Sequence, residues 1–434
     1  MSSISAAPIS TRSRLRAKRA ATTSLEHSIL ITATLCLLAL GAVMVYSASA
    51  PALLSATPTG TSALVSFVVW SVVGLVVMEV VARRGVGAMR ALTGPLLAVA
   101  FVLLVAVKLP GLGHAAYGAQ RWIGAGPLQF EPSELMKLAL VLYGAHVLAG
   151  RSHNPDALRV ALKRLLVVGG AAGLLVVTQP DLGTTLVIAF TLTSIVVGAG
   201  VPLRLLGLGV LGLGALVLVF AAFKPYALAR LTSFVDPWAH ATGSGYQAVW
   251  GQIAIGSGGL LGRGPGGGVT KDLYLPNGPT DFILAVIGEE LGVVGVCGVL
   301  FLYGLLTYAG MRTAQAARDP YSLLLAIGVT SLIAVQAILN VFAVLSLAPL
   351  TGVPLPFVSY GSSSLIVMLV AMGLLLAVSR ANAVGIQVVE STRAQNPRRS
   401  GHGSATADRD RSGRDGRSRH AGAGDRASAR RAGR

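Results

Sequence analysis

KDLYLPNGPTDFILAVIGEELG, residues 271–292, sets four acids (Asp272, Asp281, Glu289, Glu290) and Lys271 around an apolar run that opens at Phe282. Carboxylates at the mouth of a membrane helix are costly. They face a cavity or a partner and by default mark a functional site. The stretch therefore predicts a membrane helix with chemistry at one end.

The composition agrees. The 434 residues are 53% hydrophobic and 12% charged, with mean hydropathy +0.70. Soluble chains carry roughly 25% charged residues, so a soluble enzyme is excluded. Repeated apolar runs of nearly membrane-spanning length predict an all-α, polytopic membrane protein. A net charge of +18 could point to nucleic acid. Much of it lies in two tails and in short loops on one side of the membrane, so topology and membrane lipid explain it without nucleic acid. Cys36 and Cys297 lie inside apolar runs and form no disulfide framework.

About ten spans are expected: 29–45, 62–82, 91–109, 134–149, 165–178, 184–200, 205–222, 283–310, 321–346 and 360–379. A basic N-terminal arm, 1–27, precedes them. Basic arm, apolar run and Ala48-Ser49-Ala50 imitate a signal peptide, but the run is long, Pro51 follows the supposed cut, and further spans come after. With the N-terminus inside, the inner loops hold Arg83, Arg84, Arg90, Arg151, Arg159, Lys163, Arg164, Arg204, Arg312 and Arg318. The outer loops near 48–61, 179–183 and 347–359 hold no Lys or Arg. That is the positive-inside pattern, with both termini cytoplasmic. The membrane portion is 28–380, and 381–434, rich in Arg, Ser, Gly and Ala, reads as a disordered cytoplasmic tail. The large extracytoplasmic loop 223–282, between helices 7 and 8, carries Lys224, Arg230, Arg263 and Lys271 against the rule, which is where function concentrates.

LGRGPGGG, 261–268, contains a G-x-G-x-x-G, but Pro265 interrupts it and no strand precedes it, so a dinucleotide fingerprint is rejected. No His or Cys accompanies the outer acids at ligand spacing, so no dedicated metal site is expected. No cofactor is specified; a divalent cation, Mg or Mn, shared between carboxylates and a substrate phosphate stays an open alternative. Outer acids with Arg121, Lys137 and Lys271 suit an anionic lipid-linked substrate, the cations holding phosphate and one carboxylate accepting a proton. Asp281, at the junction of polar loop and apolar run, is the candidate base. A proton-coupled transporter fits the same charges.

Several long motifs then resemble one family. They are YSAS at 46–49, RWIGAGPLQFEPSELMK at 121–137, QPDLGTT at 179–185 and GSGYQ at 243–247. IAIGSGGLLGRG at 253–264, LPNGPTDFILAVIGEELG at 275–292 and PLTGVPLPFVSYGSSS at 349–364 follow in order. Together they span about Glu26 to Arg380 and resemble the SEDS family (shape, elongation, division and sporulation: FtsW, RodA, SpoVE), most like the FtsW branch. The resemblance implies a peptidoglycan glycosyltransferase that polymerises lipid II, an undecaprenyl-pyrophosphate-linked disaccharide peptide, at the outer face of the cytoplasmic membrane. It implies septal synthesis in cell division, beside a class B penicillin-binding protein transpeptidase and other divisome proteins.

By that resemblance Asp281 is the catalytic aspartate. Arg121 and Lys137 are expected to contact lipid II or pyrophosphate, with Trp122 at the cavity wall. Gln179, Asp181, Lys271, Glu289, Glu290 and Ser359 are expected along the cavity. The sequence departs from the family at Asn277, Pro279, Glu131 and Ser362. A lipid II flippase, an elongation (RodA-type) polymerase and a non-catalytic scaffold stand as alternative readings.

Overall fold

The computed structural model of the protein describes residues 11–49, 59–116, 119–124, 129–151, 155–201, 207, 225–270, 275 and 278–394. The first helix, α1 (Thr11–Ser49), has no proline along its length and joins residues 11–27 of the basic arm to the first expected span without a break. In α2 (Thr59–Ala106) Gly85 adopts φ 79°, ψ 168°, and this break separates two expected spans. A two-stranded antiparallel hairpin follows, β1 (Gly113–Ala116) and β2 (Ala119–Ile123). It is a small addition to the all-helical expectation.

Next come α3 (Pro132–Leu148), α4 (Pro155–Val177) and α5 (Leu182–Gly198). The expected span at 165–178 omits the first turns of α4. Those turns carry Arg159, Lys163 and Arg164, which an apolar-run reading discards although both residue types favour helix. The expected span 205–222 falls almost wholly outside the described residues. The long loop after it is itself ordered into α6 (Pro225–Val235), a single 3₁₀ turn at Trp238–His240 and α7 (Tyr246–Gly258). The chain ends its described portion with α8 (Ile283–Gln315), α9 (Pro320–Val344) and α10 (Ser362–Ala394). Helix α10 runs through residue 381, where the tail is expected to begin, and 395–434 lie outside the described residues.

Among the described residues six helices are long and apolar enough to cross a membrane, and the second of them, Thr61–Ala106, contains the expected span 62–82 and most of 91–109. The protein is a multi-pass membrane protein. Residues 282–290 are buried without exception, so this first part of α8 is enclosed on every side. It packs against α1, α7 and α9, and α9 in turn packs against α3 and α5.

Gly292 (φ 68°, ψ −163°) breaks α8 after that enclosed part. A break leaves backbone groups without helical partners, and buried groups need them. Residues 259–264 supply them: Arg263 N donates to Glu289 O and Gly264 N to Glu290 O, each at 3.0 Å. Val293 N donates to Gly259 O at 3.0 Å and Val294 N to Leu260 O at 3.2 Å. The glycine-rich stretch is thus a backbone splint for a broken helix.

Charged pairs join the helices elsewhere. Arg312 on α8 meets Glu26 on α1 at 3.3 Å, and Arg380 on α10 meets Glu79 on α2 at 2.9 Å. Arg90 donates to His146 Nδ1 at 3.4 Å and lies 4.9 Å from the Tyr321 ring centroid, tying α2, α3 and α9 together.

Candidate active site

Asp281 occupies the turn that leads into α8 and is half-buried. Its carboxylate accepts from Thr280 Oγ1 at 3.0 Å. Loss of water raises its pKa to about 6, against the opposing pull of the Thr280 and Gln247 hydrogen bonds and the Arg230 charge. Its backbone carbonyl accepts from Asn340 Nδ2 at 2.7 Å. A base with a pKa near the working pH combines an available lone pair with useful proton affinity.

Lys137 lies on α3, 2% exposed. Its ammonium donates to Glu134 Oε1, one turn earlier, and to Gln336 Oε1 on α9, both at 2.8 Å. A buried ammonium needs such partners to stay charged. The pairing also shows why PSELMK spaces its acid and its lysine by three: on a helix they fall on one face.

Arg121 owes its direction to a β-bulge. His114 pairs with Trp122 and Ala115 with Gln120, so Arg121 is the extra residue in β2. Bulges re-aim a side chain. Here the guanidinium donates to Gln179 O at 2.9 Å and to Pro180 O, and stands 3.8 Å from Asp181 Oδ1. Asp181 caps α5 by accepting from Thr184 N at 3.0 Å. Gln179 donates to Leu104 O at 3.0 Å. Arg121, Gln179 and Asp181 therefore form one unit. Trp122 is half-buried in the hairpin.

Glu131 links the last two groups. It precedes α3 and accepts from Ser133 Oγ at 2.7 Å. Burial, and then the charges of Asp181 and Glu134, raise its pKa to about 7.

One irregular segment, Leu350–Pro354, runs past Arg230, the first turn of α5, Asp281 and the two amides of α9. Arg230 donates to Leu350 O at 2.8 Å. Gly183, in the first turn of α5, sits so close to Thr351 that a Cβ there would run into its carbonyl oxygen. A Cβ at Gly352 would lie 3.9 Å from Asp281 Oδ2. Asn340 donates to Val353 O at 2.8 Å and Gln336 to Pro354 O at 3.0 Å. Gln336 and Asn340 are site components that sequence reasoning missed, and Gln247 and this segment fall in quoted motifs without being given a role. Amides in an apolar helix, one turn apart, were the available signal.

Three expected cavity residues have other partners. Glu289, fully buried, accepts from Val269 N at 2.8 Å, Thr270 N at 3.2 Å and Thr270 Oγ1, with Arg263 at 3.7 Å. Glu290, also fully buried, accepts from Ser47 Oγ at 2.7 Å and Gly266 N at 3.0 Å. Both anchor the splint, because a carboxylate enclosed in the core needs donors at each oxygen. Ser359 Oγ accepts from Leu355 N at 2.8 Å and closes a turn. Lys271 lies outside the described residues. Among the described residues no group of three or more His, Cys, Asp or Glu is placed to hold a metal ion.

The profile of the FtsW, RodA and SpoVE cell cycle proteins matches residues 27–384. The chain belongs to this family. It is 38% identical to stage V sporulation protein E of Bacillus subtilis over 354 residues, covering 81% of this chain and 96% of that one. It is 35% identical to the probable peptidoglycan glycosyltransferase FtsW of Geobacter sulfurreducens over 353 residues, 81% of this chain and 94% of the relative. Among solved structures, a chain of a peptidoglycan synthase complex that coordinates polymerization and crosslinking superposes with a TM-score of 0.68 at 32% identity. That match covers 81% of this chain and 97% of that one. Family membership and fold are thus fixed over the segment that holds every residue of the site.

Proposed function

We propose that this protein is a peptidoglycan glycosyltransferase that polymerises lipid II, with Asp281 as the general base. The observation that carries the reading is the Asp281 carboxylate itself: half-buried, raised to about 6, and flanked by Arg230 and Gln247. The names of its relatives support the reaction class.

Asp281 takes the proton of the acceptor sugar's 4-hydroxyl as that oxygen attacks the donor's anomeric carbon. The bond from that carbon to the pyrophosphate oxygen breaks, configuration inverts, and undecaprenyl pyrophosphate departs. A positioned base supplies about 10²–10⁴-fold; positioning of both lipids and cationic stabilisation of the leaving group supply the rest. Among the described residues Arg230 is the cation that acts on Asp281, and Arg121, Lys137, Trp122 and Gln179 are assigned to the lipid-linked substrate in this reading. The site faces the outer side of the cytoplasmic membrane in this reading. A class B penicillin-binding protein takes the strands, and septal synthesis is the setting.

Purified protein with its transpeptidase partner should convert labelled lipid II into glycan strands, and Asp281→Asn should abolish this. Normal strand synthesis by Asp281→Asn sinks the proposal.

A further inference from the structure

Two buried amides on α9 lie between the Asp281 turn and Lys137. Gln336 and Asn340 are 0% and 1% exposed and one helical turn apart on one face. Each amide makes a bridge. Gln336 accepts from Lys137 Nζ at 2.8 Å and donates to Pro354 O at 3.0 Å. Asn340 donates from the same nitrogen to Asp281 O at 2.7 Å and to Val353 O at 2.8 Å. The adjacent carbonyls of residues 353 and 354 thus serve as a shared rail, with the aspartate on one amide and the lysine on the next.

The orientation of Asn340 is forced. Both amide protons point at carbonyl oxygens, and Oδ1 is left buried with no donor. Turning the amide over would set its oxygen against two other oxygens. Leaving a buried polar atom without a partner is unfavourable, so the two bonds to Asp281 and Val353 outweigh that loss.

We infer that Gln336 and Asn340 are positioning residues that hold the Asp281 backbone and the Lys137 ammonium in fixed register across the 353–354 backbone. This rests on the proposed function and deepens it: neither amide touches substrate, yet the pair sets the distance between base and cation. The two should separate kinetically. Asn340 acts on the base and so on kcat, whereas Gln336 acts on the cation and so on KM.

The test uses the full-length protein with its transpeptidase partner and labelled lipid II as substrate, read as kcat, KM and the pH profile of kcat/KM. Asn340→Leu should lower kcat about a hundredfold, the cost of a misplacement near 1 Å. It should also move the acidic limb to lower pH, because a loosened Asp281 meets more water. Among the described residues Arg230 on α6 is the charged group that acts on Asp281, and it is left in place. Gln336→Leu should raise KM about tenfold with the limb unmoved. Asn340→Ser keeps one donor and should fall between wild type and Asn340→Leu, which decides the matter if Asn340→Leu fails to fold. Asn340 variants with an unmoved acidic limb, or kcat within about twofold of wild type, overturn the inference. If Asp281→Asn polymerises normally, the proposed function falls and takes this inference with it; a dead Asp281→Asn beside unaffected Asn340 variants removes only the inference.

Discussion

Ser47, near the end of α1, donates its hydroxyl to the Glu290 carboxylate at 2.7 and 2.8 Å, joining two helices across 243 positions of sequence. Gly266 N occupies the same carboxylate at 3.0 Å. The contact belongs to the packing that holds the splint on α8.

Ser47→Ala should therefore destabilise the fold by about 1–3 kcal/mol, the usual cost of a buried acceptor deprived of a donor. Glu290→Ala should cost more, since Ser47 and Gly266 both lose their acceptor. Thermal unfolding in detergent measures both, and the acidic limb of activity should stay where it is in each.

Lys137→Met should leave Glu134 buried with no cation and cost about 3–5 kcal/mol. Adding Glu134→Gln should recover most of that loss by removing the stranded charge. Polymerisation should stay low in the double variant if Lys137 serves the substrate as well as the fold. Melting curves and strand synthesis on the same preparations separate the two roles.

Activity and stability should respond to pH in opposite directions at Asp281. The base works deprotonated, so kcat/KM should rise with pH through about 6. The folded protein binds this proton more tightly than the unfolded chain, whose carboxyl sits at 3.8. Stability contributed by the protonated form is complete below 3.8 and is lost as pH climbs through about 6. Asp281→Asn should flatten that part of the melting profile.

Glu131 behaves alike over a higher window. Its pKa rises from 4.5 to about 7 through burial and the charges of Asp181 and Glu134. Glu131→Gln should stabilise the protein above pH 7 by on the order of 1–3 kcal/mol and have little effect below 4.5. A melting temperature unchanged at pH 8 would count against the carboxylate crowding described above.

Arg121→Lys should disconnect the hairpin from the 179–181 turn, because an ammonium cannot reproduce a planar fork that serves two carbonyls and an acid. A fall of about tenfold in kcat/KM is expected, with little change in the acidic limb.

Much of this was legible beforehand. Apolar runs marked the long helices, and the junction at Asp281 stands out because a carboxylate at the start of an apolar run is expensive. Gln336 and Asn340 were hidden for the converse reason: two neutral amides barely disturb the hydropathy of a membrane helix. Glu289 and Glu290 drew notice as acids, but their partners are backbone amides of a glycine-rich loop and one serine, which no spacing rule encodes. The bulge that aims Arg121 depends on strand register, and RWI carries no mark of which residue is the extra one. Helices α6 and α7 were missed because their flanking glycines and prolines read as loop.

The two ties between α1 and α8, Glu26–Arg312 and Ser47–Glu290, bracket about 32 Å of α1 at 1.5 Å per residue. A hydrocarbon layer is about 30 Å thick. With both ends latched, α1 cannot slip lengthwise past its broken neighbour, so a thinner bilayer must lean the pair over together. Any gap that admits a polyprenyl tail has to open elsewhere in the wall.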